Sequence, residues 1–114
     1  MKTQKKKSKQ MYQSFVKEIT PHLETLAGDD DGRKHEQAID AISEIPLSIE
    51  STKQYEILLS YGGPASRIVG SLDYDNEPET ATFQTQDWGT AWQDVPGQDE
   101  YILLQFASVF HFTG

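Results

Sequence analysis

Arg67 is the only cation between residues 54 and 114, a stretch that holds nine acids. A planar guanidinium among carboxylates bonds to one or two of them, bidentately where geometry allows. Asp87 is the expected partner, because Gln86-Asp87-Trp88 ends a strand that should run beside the strand of Arg67. Left out of such a pair, Arg67 and the Gly62-Gly63 turn would be open to a small anion. Asp73, Asp75, Glu77 and Glu79 fall within seven residues and, at strand or turn spacing, project as a negative row; Asp29-Asp30-Asp31 form a second cluster. Trp88 and Trp92 stand four residues apart and are too large to be incidental. They either close one end of a small core or anchor an interface ringed by acids, supplemented by Tyr61, Tyr74 and Tyr101.

Catalytic and metal chemistry find little support. A hydrolase using paired carboxylates needs two acids held a few ångströms apart in different environments. With nine acids in one half of the chain, chance proximity and a solvated acidic surface explain the same residues. Asp73, Asp75 and Glu77 have the spacing that opens a calcium loop, but Pro78 stands where its glycine is required and Gln84 where its closing acid should be. His22, His35 and His111 are far apart and in no spaced metal motif. There is no Gly-x-Ser-x-Gly elbow, and Gly62-Gly63-Pro64-Ala65-Ser66 lacks both the Lys-Ser/Thr of a phosphate loop and the dinucleotide glycine pattern, so it reads as a turn. No catalytic residue, metal or cofactor is expected, and the chain is read as a non-enzyme.

The elements that position these residues follow from composition and periodicity. At 114 residues, one domain is expected. Twenty-five Leu, Ile, Val and Phe make a folded but core-poor chain. The net charge of −8 is uneven: residues 1–17 carry six lysines and no acid, whereas residues 18–114 sum to −14. A uniformly basic nucleic-acid-binding surface is thereby excluded, and direct contact with nucleic acid is expected only weakly, from the Lys-rich tail. The absence of cysteine excludes disulfides and thiolate chemistry. The basic start is not followed by an apolar run, and Tyr101 to Phe112 is too short to span a bilayer. A cytoplasmic protein without membrane contact is expected.

Residues 1–10 read as a flexible basic tail and 11–114 as a single α+β domain, with 11–53 a helical hairpin and 54–114 the sheet plus a C-terminal element. Met11, Phe15, Ile19, Leu23 and Leu26 mark an amphipathic helix from about Ser8 to Ala27. Pro21 should kink or break it, with Thr20 capping the second piece, and Gly28 should stop it. Ala38, Ile39, Ile42 and Ile45 form the stripe of a second helix ended by Pro46. Tyr55 to Tyr61, Ser66 to Leu72 and Thr80 to Gln86 read as three strands of an antiparallel meander. Gln98-Asp99-Glu100 would cap a last helix with Ile102, Leu103, Phe106, Val109 and Phe110 inward; a strand over Tyr101 to Leu104 is the alternative. The expected architecture is two N-terminal helices packed on a three-stranded antiparallel sheet, with a C-terminal helix.

Leu59-Ser60-Tyr61-Gly62-Gly63-Pro64-Ala65-Ser66-Arg67-Ile68-Val69-Gly70-Ser71-Leu72-Asp73, then Glu77-Pro78 and Gln86-Asp87-Trp88-Gly89-Thr90-Ala91-Trp92, resembles a family of small accessory proteins carried by phages, prophages and plasmids. The likeness covers about residues 56–114; Ala91 replaces the usual proline before the second tryptophan, and residues 1–53 lie outside it. The mobile-element setting implies an anti-defence role of the anti-CRISPR or anti-restriction kind. The expected partner is a host defence nuclease, its basic nucleic-acid channel filled by an acidic face formed by Asp73, Asp75, Glu77, Glu79 and Asp87 with Trp88 and Trp92. A regulatory or oligomerising module is the alternative, which leaves self-association open, and a small enzyme or anion-binding protein built around Gly62, Gly63 and Arg67 is a third reading.

Overall fold

A computed structural model describes residues 2–28, 32–51, 53–62 and 64–112, without the side chains of 2–6, 50 and 51. The expectations placed on Asp29 to Asp31 and on Gly63 lie outside the described residues. The order of elements is α1 (Lys2–Ala27), α2 (Gly32–Ser43), β1 (Ser48–Ser51), β2 (Gln54–Ser60), β3 (Ala65–Ser71), β4 (Thr82–Gln86), β5 (Gln93–Asp94) and α3 (Glu100–Ala107). The strands form one antiparallel meander in sequence order. The α+β class stands, but the sheet has five strands rather than three. β1 and β5 are short and polar, and each exists by pairing along an edge of the three apolar strands. β1 also falls within the segment expected to be a helical hairpin, whose second helix ends at Ser43.

Period-2 alternation gives the sheet two unlike faces. Ile57, Ile68 and Phe83 sit side by side in register on β2, β3 and β4 and are almost wholly buried. Against them pack α1 and α3. Tyr12 and Phe15 of α1 meet Phe83 with ring centroids 5.4 and 5.3 Å apart, and Phe15 meets Phe106 of α3 edge-on at 4.9 Å. Burying each such aromatic or branched side chain contributes about 1.5–3 kcal/mol. α2 packs on α1 through Ala38 and Ile42, which are buried, while Ile39 of the same expected stripe is exposed.

α1 departs from expectation twice. It begins at Lys2, so the residues read as a flexible tail are its first turns. It also runs through Pro21 without a second N-cap, and the Thr20 hydroxyl donates back to the Val16 carbonyl instead. The stripe Tyr12, Phe15, Ile19 and Leu23 is buried on both sides of the proline, so packing holds the helix together. The donor missing at Pro21 would have reached the carbonyl of exposed Lys17, an acceptor that solvent can serve. α1 ends where Gly28 donates to the Glu24 and Thr25 carbonyls. α3 starts as expected, with the Asp99 side chain accepting from the Tyr101 amide.

Candidate functional site at the two ends of the sheet

The face turned away from the helices carries a hydrogen-bonded row across four strands. Arg67 on β3 donates from Nη1 to Glu56 on β2 and from Nε to the Gln84 Oε1 on β4 at 2.8 Å; Gln84 Nε2 in turn donates to Asp94 on β5 at 2.8 Å. The Arg67 guanidinium also lies over the Trp92 ring, 4.1 Å from its centroid. The expected Arg67–Asp87 pair is therefore absent. Register explains the choice: Arg67 sits opposite Leu58 and Gln84, which places Glu56 diagonally adjacent on the same face, whereas Asp87 has already left the strand. Glu56 was missed because it lies on β2 and only the strand after Arg67 was considered, and Gln84 because only carboxylates were weighed as partners. With an anion, a π face and an amide already around it, Arg67 is engaged within the sheet.

Asp87 instead builds the turn after β4. Its Oδ1 accepts from the Trp88 amide at 2.9 Å, its own amide donates to Thr90 Oγ1 at 3.1 Å, and both the amide and hydroxyl of Thr90 donate to its carbonyl. Gln86 Nε2 closes the loop on the Thr90 carbonyl at 2.9 Å, and Gly89 takes a positive φ of 72°. The polar residues of Gln86-Asp87-Trp88-Gly89-Thr90 thus hold Trp88 in solvent, where it is 80% exposed. Tyr61, 84% exposed, follows β2 at the same end of the sheet, beside Gly62 at φ 95°. Tyr61, Gly62, Asp87, Trp88 and Trp92 line one cleft of about 280 Å³. Of the two readings of the tryptophans, Trp92 is half-buried beneath Arg67 and Trp88 is not part of any core.

The acids Asp73, Asp75, Glu77 and Glu79 occupy the connection from β3 to β4, at the opposite end of the sheet. Asp73 Oδ1 accepts from the amides of Asp75 at 2.8 Å and Glu77 at 3.1 Å, and its own amide donates to the Glu77 carbonyl. Asn76 adopts a left-handed φ of 63° at the tip, and Leu72 bridges to Pro78. Asp75, Glu77 and Glu79 are exposed, and among the described residues none of their carboxylates makes a hydrogen bond or ion pair. The residues expected to form one partner surface are thus divided between the two ends: a pinned acidic turn at one, an aromatic cleft at the other.

Among the described residues no three His, Cys, Asp or Glu could hold a metal ion, and no helix is long and apolar enough to cross a membrane. No family model, curated protein or solved structure matches the chain.

Proposed function

We propose that the protein is a non-enzymatic anti-defence protein of a mobile element, of the anti-CRISPR or anti-restriction kind, acting in the host cytoplasm. It inhibits a host nuclease by presenting carboxylates to the basic channel that otherwise holds a phosphate backbone. The observation that carries this reading is the β3–β4 turn, in which one carboxylate, Asp73, fixes the backbone while Asp75, Glu77 and Glu79 stand in solvent, unpaired among the described residues. Preorganisation lowers the ordering cost of docking, and an unneutralised array steers association with a basic surface. The resemblance to phage and plasmid accessory proteins supports the anti-defence setting. The test is protection of phage or plasmid DNA in cells with an active defence nuclease. The chain should raise survival of the targeted DNA, and reversing Asp75, Glu77 and Glu79 together to Lys should abolish that gain; undiminished protection by the reversed chain would sink the mimic mechanism.

A further inference from the structure

We infer that the aromatic end of the sheet binds single-stranded nucleic acid, with Trp88 and Tyr61 stacking on bases and Lys7 and Lys9 of α1 contacting phosphates where the strand rounds the end of the sheet. The sequence argued against more than weak contact, because the body of the chain would repel the same strand. The fold weakens that objection by placing the unpaired carboxylates of Asp75, Glu77 and Glu79 at the far end of the sheet, which leaves Asp87 as the acid lining the cleft.

Ser8 on α1 hydrogen-bonds to Thr85 on β4, two residues before Asp87, and further along the helix Tyr12 and Phe15 meet Phe83. α1 therefore runs antiparallel to β4, and its N-terminal turns lie at the Trp88 end of the sheet. Those turns hold Lys2, Lys5, Lys6, Lys7 and Lys9 with no acid in the first turn, and Lys7 and Lys9 are exposed. Among the described residues neither Lys7 nor Lys9 has a carboxylate partner, and a polyanion is the ligand that their charge fits. β3 spans six residue steps between the cleft and the acidic turn, about 20 Å, more than two screening lengths at physiological salt. The exposed carboxylates of Asp75, Glu77 and Glu79 thus weigh little on a strand held at the other end.

Aromatic faces beside a cationic track are the general means of holding unpaired bases without reading sequence. A duplex offers phosphates to the lysines but no free base face to Trp88 or Tyr61. The two exposed rings stand on turns from different strand pairs, and the polar groups of one turn are spent on keeping Trp88 outward.

The experiment is fluorescence anisotropy of a labelled oligothymidylate of about 20 nucleotides at low salt, with tryptophan emission recorded in parallel. Binding with quenching is expected. Trp88→Ala and Tyr61→Ala should each weaken it about tenfold while leaving any duplex binding unchanged. Lys7→Gln with Lys9→Gln should lower the log–log salt slope by about 0.7 per contacting lysine. Both aromatic positions are exposed, so the variants fold, as circular dichroism would register. Absence of binding overturns the inference. So does binding that responds to the lysines alone, which would be contact of charge only, or a Trp88→Ala variant that loses DNA protection in cells while the intact chain binds no oligonucleotide, which would assign the surface to a protein partner.

Discussion

The acidic turn and the aromatic cleft close the two ends of one sheet, yet their polar bonds face opposite ways. At the acidic end they tie the turn into the body of the protein: Asp73 caps two amides, the Glu79 amide reaches the Ser71 carbonyl, and the buried Tyr55 hydroxyl donates to the Thr80 carbonyl at 2.6 Å. At the aromatic end Gln86, Asp87 and Thr90 bond among themselves and leave Trp88 outside. Carboxylates need only a rigid backbone to be presented, since water solvates them at no cost. An indole in water forfeits burial worth a few kcal/mol, so a turn that holds one there gives up stability for contact.

Gly70→Ala should have the largest effect and should fall on the acidic end. A Cβ at Gly70 would lie 2.0 Å from the Thr80 carbonyl oxygen and 2.8 Å from the Tyr55 ring, and the first of these is backbone that cannot step aside. A loss of about 3 kcal/mol, the upper part of the overpacking range, is expected in urea unfolding. A loss under about 1 kcal/mol would mean that the β3–β4 connection is looser than the comparison requires.

Asp73→Ala comes next, at about 1–2 kcal/mol, because two amide donors lose a charged acceptor while remaining near water. Asp75→Ala, two residues further along the turn, should leave stability within about 0.5 kcal/mol, since its carboxylate bonds to nothing among the described residues. Equal losses in the two variants would erase the distinction between the fixing carboxylate and the presented ones.

Tyr55 extends the comparison to pH. Burial first, and the Glu100 carboxylate second, hold its phenol well above the ordinary tyrosine range. The folded state keeps the proton that the unfolded chain releases, so this contribution is intact below the ordinary tyrosine value near pH 10 and falls as pH rises through it. Tyr55→Phe should cost about 1 kcal/mol at neutral pH by losing the bond to Thr80. It should also flatten the alkaline decline in thermal midpoint; a decline as steep as in the parent would place its origin elsewhere.

How much of this could be read from the chain follows the same division. The three apolar strands, the stripe of α1 and the cap of α3 were legible because burial imposes a period on the sequence. β1 and β5 carry no such period, since an edge strand is made by its neighbour's free hydrogen bonds. Gln98 was invisible for the same reason: its amide accepts from the Phe83 amide and donates to the Phe83 and Val95 carbonyls, completing the edge of β4 as a strand would. The Arg67 partner was misassigned because a register, once fixed, selects among acids that look equivalent in sequence. The residues of the acidic turn were legible as a group, and their distance from Trp88 was not, because it depends on which way β3 and β4 run.

Trp88→Ala should have the smallest effect on folding, within about 0.5 kcal/mol, because the ring contributes to no buried cluster. Thr90→Ala should cost about 1 kcal/mol by stripping the Asp87 amide of its acceptor, although Thr90 reaches no partner surface itself. The pair therefore isolates display from stability: the supporting residue matters to the fold and the displayed one does not. If Trp88→Ala proved the more destabilising of the two in denaturant titration, the ring would be packing in solution rather than waiting for a ligand. The aromatic end would then be a second closed end of the core, and the contrast with the acidic turn would disappear.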